Sequence, residues 1–128
     1  MAFAITFTKG RTSYDTITLY ESDGTTGVAL AATDVVRFKM YRRDGSTPDL
    51  DIDSAADSAN GSGITVDQLA SAAVATLKIA QGDTASLVPG VYRAEIIVVD
   101  DSDSDFALHV ESGVVYLLSS GGGDIGLS

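Results

Sequence analysis

The chain has no cysteine and no tryptophan, and it has a single histidine and two prolines among 128 residues. Without cysteine there is no disulfide, no thiolate metal site and no cysteine nucleophile, so stability must come from packing or from neighbours. Cations are scarce as well: 8 Lys and Arg against 18 Asp and Glu give a formal charge of −10 and a pI near 4.1. A protein that binds nucleic acid regardless of sequence needs clustered cations to displace phosphate counterions, so a nucleic-acid partner is not expected. Long hydrophobic runs are missing too. Met1-Ala2-Phe3-Ala4-Ile5-Thr6-Phe7 has neither the basic segment nor the continuous apolar stretch of a leader, and no run approaches a bilayer-crossing length. Neither secretion nor a membrane partner is expected. His109, with no second His and no Cys beside it, reads as an outward sheet residue rather than a metal ligand.

What is present points to strands. Thirteen glycines, many Val, Ile and Thr, and short apolar runs set between turn residues favour an all-β class. A chain of this length is one domain that buries roughly two-thirds of its unfolded surface. The organising stretch is Asp83-Thr84-Ala85-Ser86-Leu87-Val88-Pro89-Gly90-Val91-Tyr92 and the run Arg93 to Val99 that follows. Asp83 is an apt N-cap for one helical turn over Thr84 to Leu87, with Leu87 dropping into the core. Pro89 and Gly90 suit a turn that reverses the chain. Tyr92, Ala94, Ile96 and Val98 then share one face, opposite Arg93, Glu95 and Ile97. The polar stretch Asp100 to Asp105 reads as a turn, Phe106 to Val110 as a returning strand, and Val114 to Ser119 as a further strand closing a meander.

Upstream, Ala4 to Thr8, Thr16 to Glu21, Val35 to Arg43, Ile64 to Val66 and Ala73 to Ile79 alternate as half-buried strands do. Ser22-Asp23-Gly24 marks a turn, Val28 and Leu30 a short edge strand, and Asp67 to Ser71 a second turn. Val36, Phe38 and Met40 take the core side of their strand, as do Ala75, Leu77 and Ile79 of theirs. Residues 46 to 63 have loop composition with only Leu50 and Ile52 apolar. Beyond Ser119, the glycines at 121 to 123 make residues 120 to 128 a flexible arm with an apolar tip, outside a domain spanning 1 to 119.

Chemistry-bearing residues are many but do not form a recognisable set. Asp49, Asp51, Asp53 and Asp57 have the alternate spacing of a calcium loop, but Ser54 stands where the sharp turn needs Gly and Asn60 where a Glu would close the cage. Gly121-Gly122-Gly123 lacks the helix and Lys of a phosphate loop. No metal, cofactor or catalytic residues are expected, and the chain reads as a non-enzyme. Arg37, Lys39, Arg42, Arg43 and Arg93 fall on related surface, either as a solvated face with cross-strand ion pairs or as a positive strip for a partner. Phe3 at one end of the chain and Ile125 and Leu127 at the other complete the candidate partner-binding residues.

A basic alternating strand ending in Asp44-Gly45, an acidic loop, Gly61-Ser62-Gly63-Ile64, the strand Ala73 to Ile79, the Asp83 to Tyr92 stretch, and a closing pair of strands with Gly113-Val114-Val115 follow one another in the chain. Over residues 14 to 118 this order resembles small immunoglobulin-like sandwich proteins of tailed bacteriophages, and it is similar in layout to the N-terminal domain of baseplate upper proteins. The resemblance implies an antiparallel two-sheet sandwich of seven to eight strands and a virion component. It implies a capsid decoration or cement protein, since no long downstream helical or receptor-binding region is present. Its partners would be a viral capsid or other virion protein, with copies repeated on a lattice or as a homo-oligomer. A tail or baseplate adaptor is the alternative within the family, and a carbohydrate or host-surface binding module is the alternative from a different class.

Overall fold

A computed structural model of the chain describes residues 3–20, 26–27, 30, 34–42, 45, 47–68, 72–100 and 103–119, with the backbone alone at 68, 100 and 103–111. Expectations for Ser22-Asp23-Gly24, Val28, Arg43, Asp44, residues 69–71, and the arm 120–128 with Ile125 and Leu127 lie outside the described residues.

Among the described residues, eight strands and one helical turn follow in the order β1 (Phe3–Thr8), β2 (Ser13–Thr18), β3 (Val35–Tyr41), β4 (Leu50–Asp53), β5 (Gly63–Gln68), β6 (Ala73–Ile79), α1 (Gln81–Thr84), β7 (Gly90–Asp100) and β8 (Asp103–Leu118). They form two sheets, β1-β8-β7-β3-β4 and β2-β6-β5. The period-two patterns explain the layering. Val36, Phe38 and Met40 of β3, Tyr92, Ala94, Ile96 and Val98 of β7, and Ala73, Ala75, Leu77 and Ile79 of β6 are buried between the sheets. Phe38 lies at the centre, with Phe7 edge-on to it and the Phe3 ring tilted against it, each at 6.5 Å between centroids. Such aromatic pairs add about 0.5–1.5 kcal/mol each beyond the area they bury.

Two sheets with β2-β6-β5 facing β8-β7-β3-β4, and β1 placed beside β8, give the strand order of an immunoglobulin-like sandwich. The corner before β7 has that fold's signature: the Tyr92 hydroxyl donates to the Val88 carbonyl at 2.5 Å, four residues upstream. Tyr92 is buried, so its ring packs the core while its hydroxyl ties down the corner.

Several local expectations are corrected. The sheets are not wholly antiparallel, because β1 runs parallel to β8 from Phe3↔Gly113 to Thr8↔Leu118. After β1 the chain turns at Gly10, with φ +74°, and crosses to the other sheet, where the Gly10 amide donates to the buried Thr84 hydroxyl at 3.0 Å. The closing region is one 16-residue strand rather than two. Gly113 reads as a break but serves a close approach: a Cβ there would meet carbons of the Phe3 ring at 2.6 Å. The helical turn starts at Gln81, its N-cap is Ala80 with no side-chain cap, and Asp83 sits within it. Leu87 is buried as expected, and its amide donates to the Thr84 carbonyl at 3.0 Å. Pro89-Gly90 carries the chain from β6 in one sheet to β7 in the other, and the hairpin it leads into is the antiparallel pair β7–β8. Finally, Leu50 and Ile52 of the presumed loop are buried in β4, paired with Met40 and Phe38.

Candidate functional site

The outer face of the five-stranded sheet carries the basic residues singled out in the sequence. Because β3 and β7 alternate, Arg37, Lys39 and Tyr41 of β3 and Arg93 and Glu95 of β7 project to this side, opposite the core set. The pairing register places Lys39 between Asp51 of β4 and Glu95 of β7, and Tyr41 beside Arg93. Arg42 follows directly on β3. Arg37, Lys39 and Arg93 are thus gathered on one face, whereas Arg42 has the opposite parity and lines a hollow with Val88 to Tyr92.

Most of that positive charge is met locally. Arg37 reaches Asp51 at 3.3 Å, and Arg42 reaches Asp49 at 3.4 Å while its amide donates to the same carboxylate at 3.1 Å. The Arg93 guanidinium lies over the Tyr41 ring, 4.7 Å from its centroid, and donates to the Gly45 carbonyl at 2.6 Å. Tyr41 in turn donates its hydroxyl to Glu95 at 2.9 Å. Burial, reinforced by the hydrogen bond to Glu95 and that residue's negative charge, raises the Tyr41 pKa against the opposing pull of Arg93. Tyr41 therefore stays protonated and able to donate. Exposed pairs of this kind contribute about 0–1 kcal/mol each. The acids that alternate along residues 49–53 are the counter-charges of this face. Asp53 instead accepts the amides of Ala55 and Ala56 at 2.8 and 3.0 Å, turning the chain out of β4.

Two hollows adjoin these residues. One of about 250 Å³ is lined by Tyr41, Arg93, Ala94, Glu95, Ser112 and Gly113, and another of about 260 Å³ by Arg42, Val88, Pro89, Gly90, Val91 and Tyr92. In the first of them Arg93 covers the ring face that Tyr41 would otherwise offer for stacking.

Beside the mixed-charge half lies an uncharged half that the sequence reading passed over. Val91 and Tyr116 are direct partners in the β7–β8 pairing, and Tyr116 is the partner of Thr6 in β1. Val91 is 55 % exposed and Tyr116 41 %, so the pair puts two adjacent large side chains on the outer face. The signal was in the parity: Val91 alternates with the buried Tyr92, and Tyr116 stands between the buried Val115 and Leu117. Phe3 is not the exposed aromatic expected at a chain end. Its half-buried ring packs against Phe38 and over Gly113.

The most concentrated polar cluster is half-buried, where residues 58–62 meet α1. Asp83 accepts from the Ser58 hydroxyl at 2.7 Å, from the Asn60 side-chain amide at 2.8 Å, and from the Ser62 hydroxyl. The buried Ser62 hydroxyl also accepts the Ala80 amide at 2.7 Å, and Ser58 accepts the Ser62 amide at 2.9 Å. Burial works against the Asp83 charge, but hydrogen bonds from Asn60, Ser62 and Ser58 outweigh it and hold its pKa below the usual carboxylate range. Asn60, which stood where a calcium loop needs Glu, is therefore a donor that fixes this corner. Among the described residues no group of three or more His, Asp or Glu side chains is placed to hold a metal ion. The His109 backbone lies opposite Val98 in β8. No protein-family model matches the chain, and comparison with curated proteins finds no significant relative.

Proposed function

We propose that this protein is a non-enzymatic structural component of a tailed-phage virion, a capsid decoration or cement protein that binds repeated sites on the particle surface. The observation that carries the reading is how the polar and apolar groups are divided. The best organised polar cluster, around Asp83, is closed on itself and locks the corner before β7. Large apolar side chains, by contrast, are presented outward on the sheet face at Val91 and Tyr116. Rigid corners and an outward contact surface suit attachment, where complementarity of surfaces is the function. The immunoglobulin-like strand order agrees with the family resemblance, although one fold serves many roles.

Purified particles of the encoding virus, separated into heads and tails, test this proposal. Mass spectrometry is expected to find the protein in multiple copies on tail-free heads. Its presence only in tails would move it to the adaptor role, and its absence from both would overturn the proposal. Deleting residues 121–128 addresses the arm: the isolated domain is expected to keep its stability while attachment weakens by about tenfold or more. Undiminished co-sedimentation of the truncated protein with heads would remove the arm from the mechanism.

A further inference from the structure

Each sheet ends in two edge strands, β1 and β4 in one and β2 and β5 in the other. An edge strand presents unpaired amides and carbonyls and is a template for another strand unless charge, proline, bulges or shortness blunts it. Three of the four edges are blunted. β2 carries Asp15, β5 carries Asp67, and β4 is four residues long with Asp51 and Asp53. β1 has the sequence Phe-Ala-Ile-Thr-Phe-Thr, with no charge and no proline, and its register with β8 is unbroken over all six residues. On a chain of net charge −10, this is the edge where a second copy meets no like charge.

The hydrogen-bond phase of β1 shows which groups are free. The Lys9 amide donates to the Leu118 carbonyl at 2.9 Å, continuing the parallel pairing with β8. In a parallel strand alternate residues bond to one side, so Phe3, Ile5 and Phe7 turn their backbone groups to β8. Ala4, Thr6 and Thr8 turn theirs to the open edge, where the described residues place no strand and where the Thr8 carbonyl accepts the Arg11 amide at 3.2 Å. The same alternation keeps the Ile5 and Phe7 side chains in the core, so an added strand disturbs no packing.

We infer that β1 is a self-association edge: it pairs antiparallel with β1 of a second copy about a twofold axis through Thr6, joining two five-stranded sheets into one of ten strands. In this register Thr6 faces Thr6 of the second copy, and Ala4 faces Thr8. These are the residues whose amides and carbonyls point outward, so Thr6 exchanges two bonds with Thr6 of the second copy and each Thr8 amide donates to the facing Ala4 carbonyl, four bonds in all that use no group already engaged. Ile5 falls opposite Phe7, apolar against apolar, and no charged residue stands within the paired segment. The exposed partners Tyr116 and Val91 lie in the same row as Thr6, so the uncharged patches of the two copies become continuous across the axis. This inference does not depend on the virion reading.

The test is sedimentation velocity of the full chain from about 1 μM to about 1 mM, with amide exchange measured at both ends of the range. The expected result is a concentration-dependent dimer in which the Thr6 and Thr8 amides gain protection. Thr6→Pro removes an N–H that the fold does not use, and Thr6→Lys sets like charges against each other on the axis. Each is expected to weaken dimerisation by at least about tenfold with an unchanged thermal midpoint, whereas Thr65→Lys on the β5 edge leaves it unaltered. A wild-type monomer across the whole range, a dimer that survives both Thr6 variants, or one that Thr65→Lys disrupts instead would each overturn the inference.

Discussion

Replacing Asp83 by Asn removes one negative charge and changes little in shape, yet the structure assigns it a large cost. One Asp83 oxygen accepts from both the Ser58 and Ser62 hydroxyls and the other accepts from the Asn60 side-chain amide. An Asn amide group placed toward Asn60 sets donor against donor. Placed toward the serines, it leaves two hydroxyl hydrogens without an acceptor, one of them on the fully buried Ser62. Hydrogen bonds to a charged group contribute about 1.5–3 kcal/mol, and an orphaned buried donor costs about 1–3 kcal/mol, so Asp83→Asn should cost about 2–3 kcal/mol at neutral pH. The folded-state pKa of Asp83 is lowered. Its contribution is therefore fully present above the unfolded carboxylate pKa, near about 3.9, and disappears as pH falls through the lower folded value. Urea unfolding of both proteins from pH 7 down to pH 3 reads this directly: the stability gap should be widest near neutrality and narrow below about pH 4. A gap under about 0.5 kcal/mol at pH 7, or one that stays constant to pH 3, would refute the assignment.

Phe38→Ala empties the place where the Phe3 and Phe7 rings meet and should cost about 3–5 kcal/mol, and Ile96→Ala about 2–5 kcal/mol, by urea denaturation. Gly113→Ala drives a methyl against both the Phe3 carbonyl and the Phe3 ring and should destabilise the protein by about 1–3 kcal/mol in the same assay, a cost that persists in a Phe3→Ala background because the carbonyl remains. Tyr92→Phe keeps the ring but leaves the Val88 carbonyl without its donor, with an expected loss of about 1–3 kcal/mol in the same assay. Calcium should leave the melting temperature unchanged, because Asp49 and Asp51 are paired with Arg42 and Arg37 and Asp53 with backbone amides; a clear rise through mass action would contradict this.

The sandwich was legible where one periodicity acted alone. In Val35 to Tyr41, Ala73 to Ile79 and Gly90 to Val98 the alternation of side chains is the alternation of faces, and those strands and their inward residues stand as read. Local signals misled where tertiary contacts overrode them. Asp49-Leu50-Asp51-Ile52-Asp53 alternates perfectly, but its acid content suggested a loop until Arg37 and Arg42 supplied the opposite charge. Gly113 looked like a break because nothing nearby in sequence announces that Phe3, more than a hundred residues away, lies across it. Asp83 has the composition of a cap, but Ser58, Asn60 and Ser62 compete for its carboxylate. The basic residues of the candidate surface were found by type, whereas their partners and the apolar row of Thr6, Tyr116 and Val91 depend on strand register, which the sequence does not state.

Titrating the purified protein onto tail-free heads that lack it, and weighing what pellets, measures attachment itself. A surface-decorating role predicts binding that saturates at a fixed, repeated number of copies per head. Protein that stays in the supernatant at every concentration, or pellets without saturation, would contradict it.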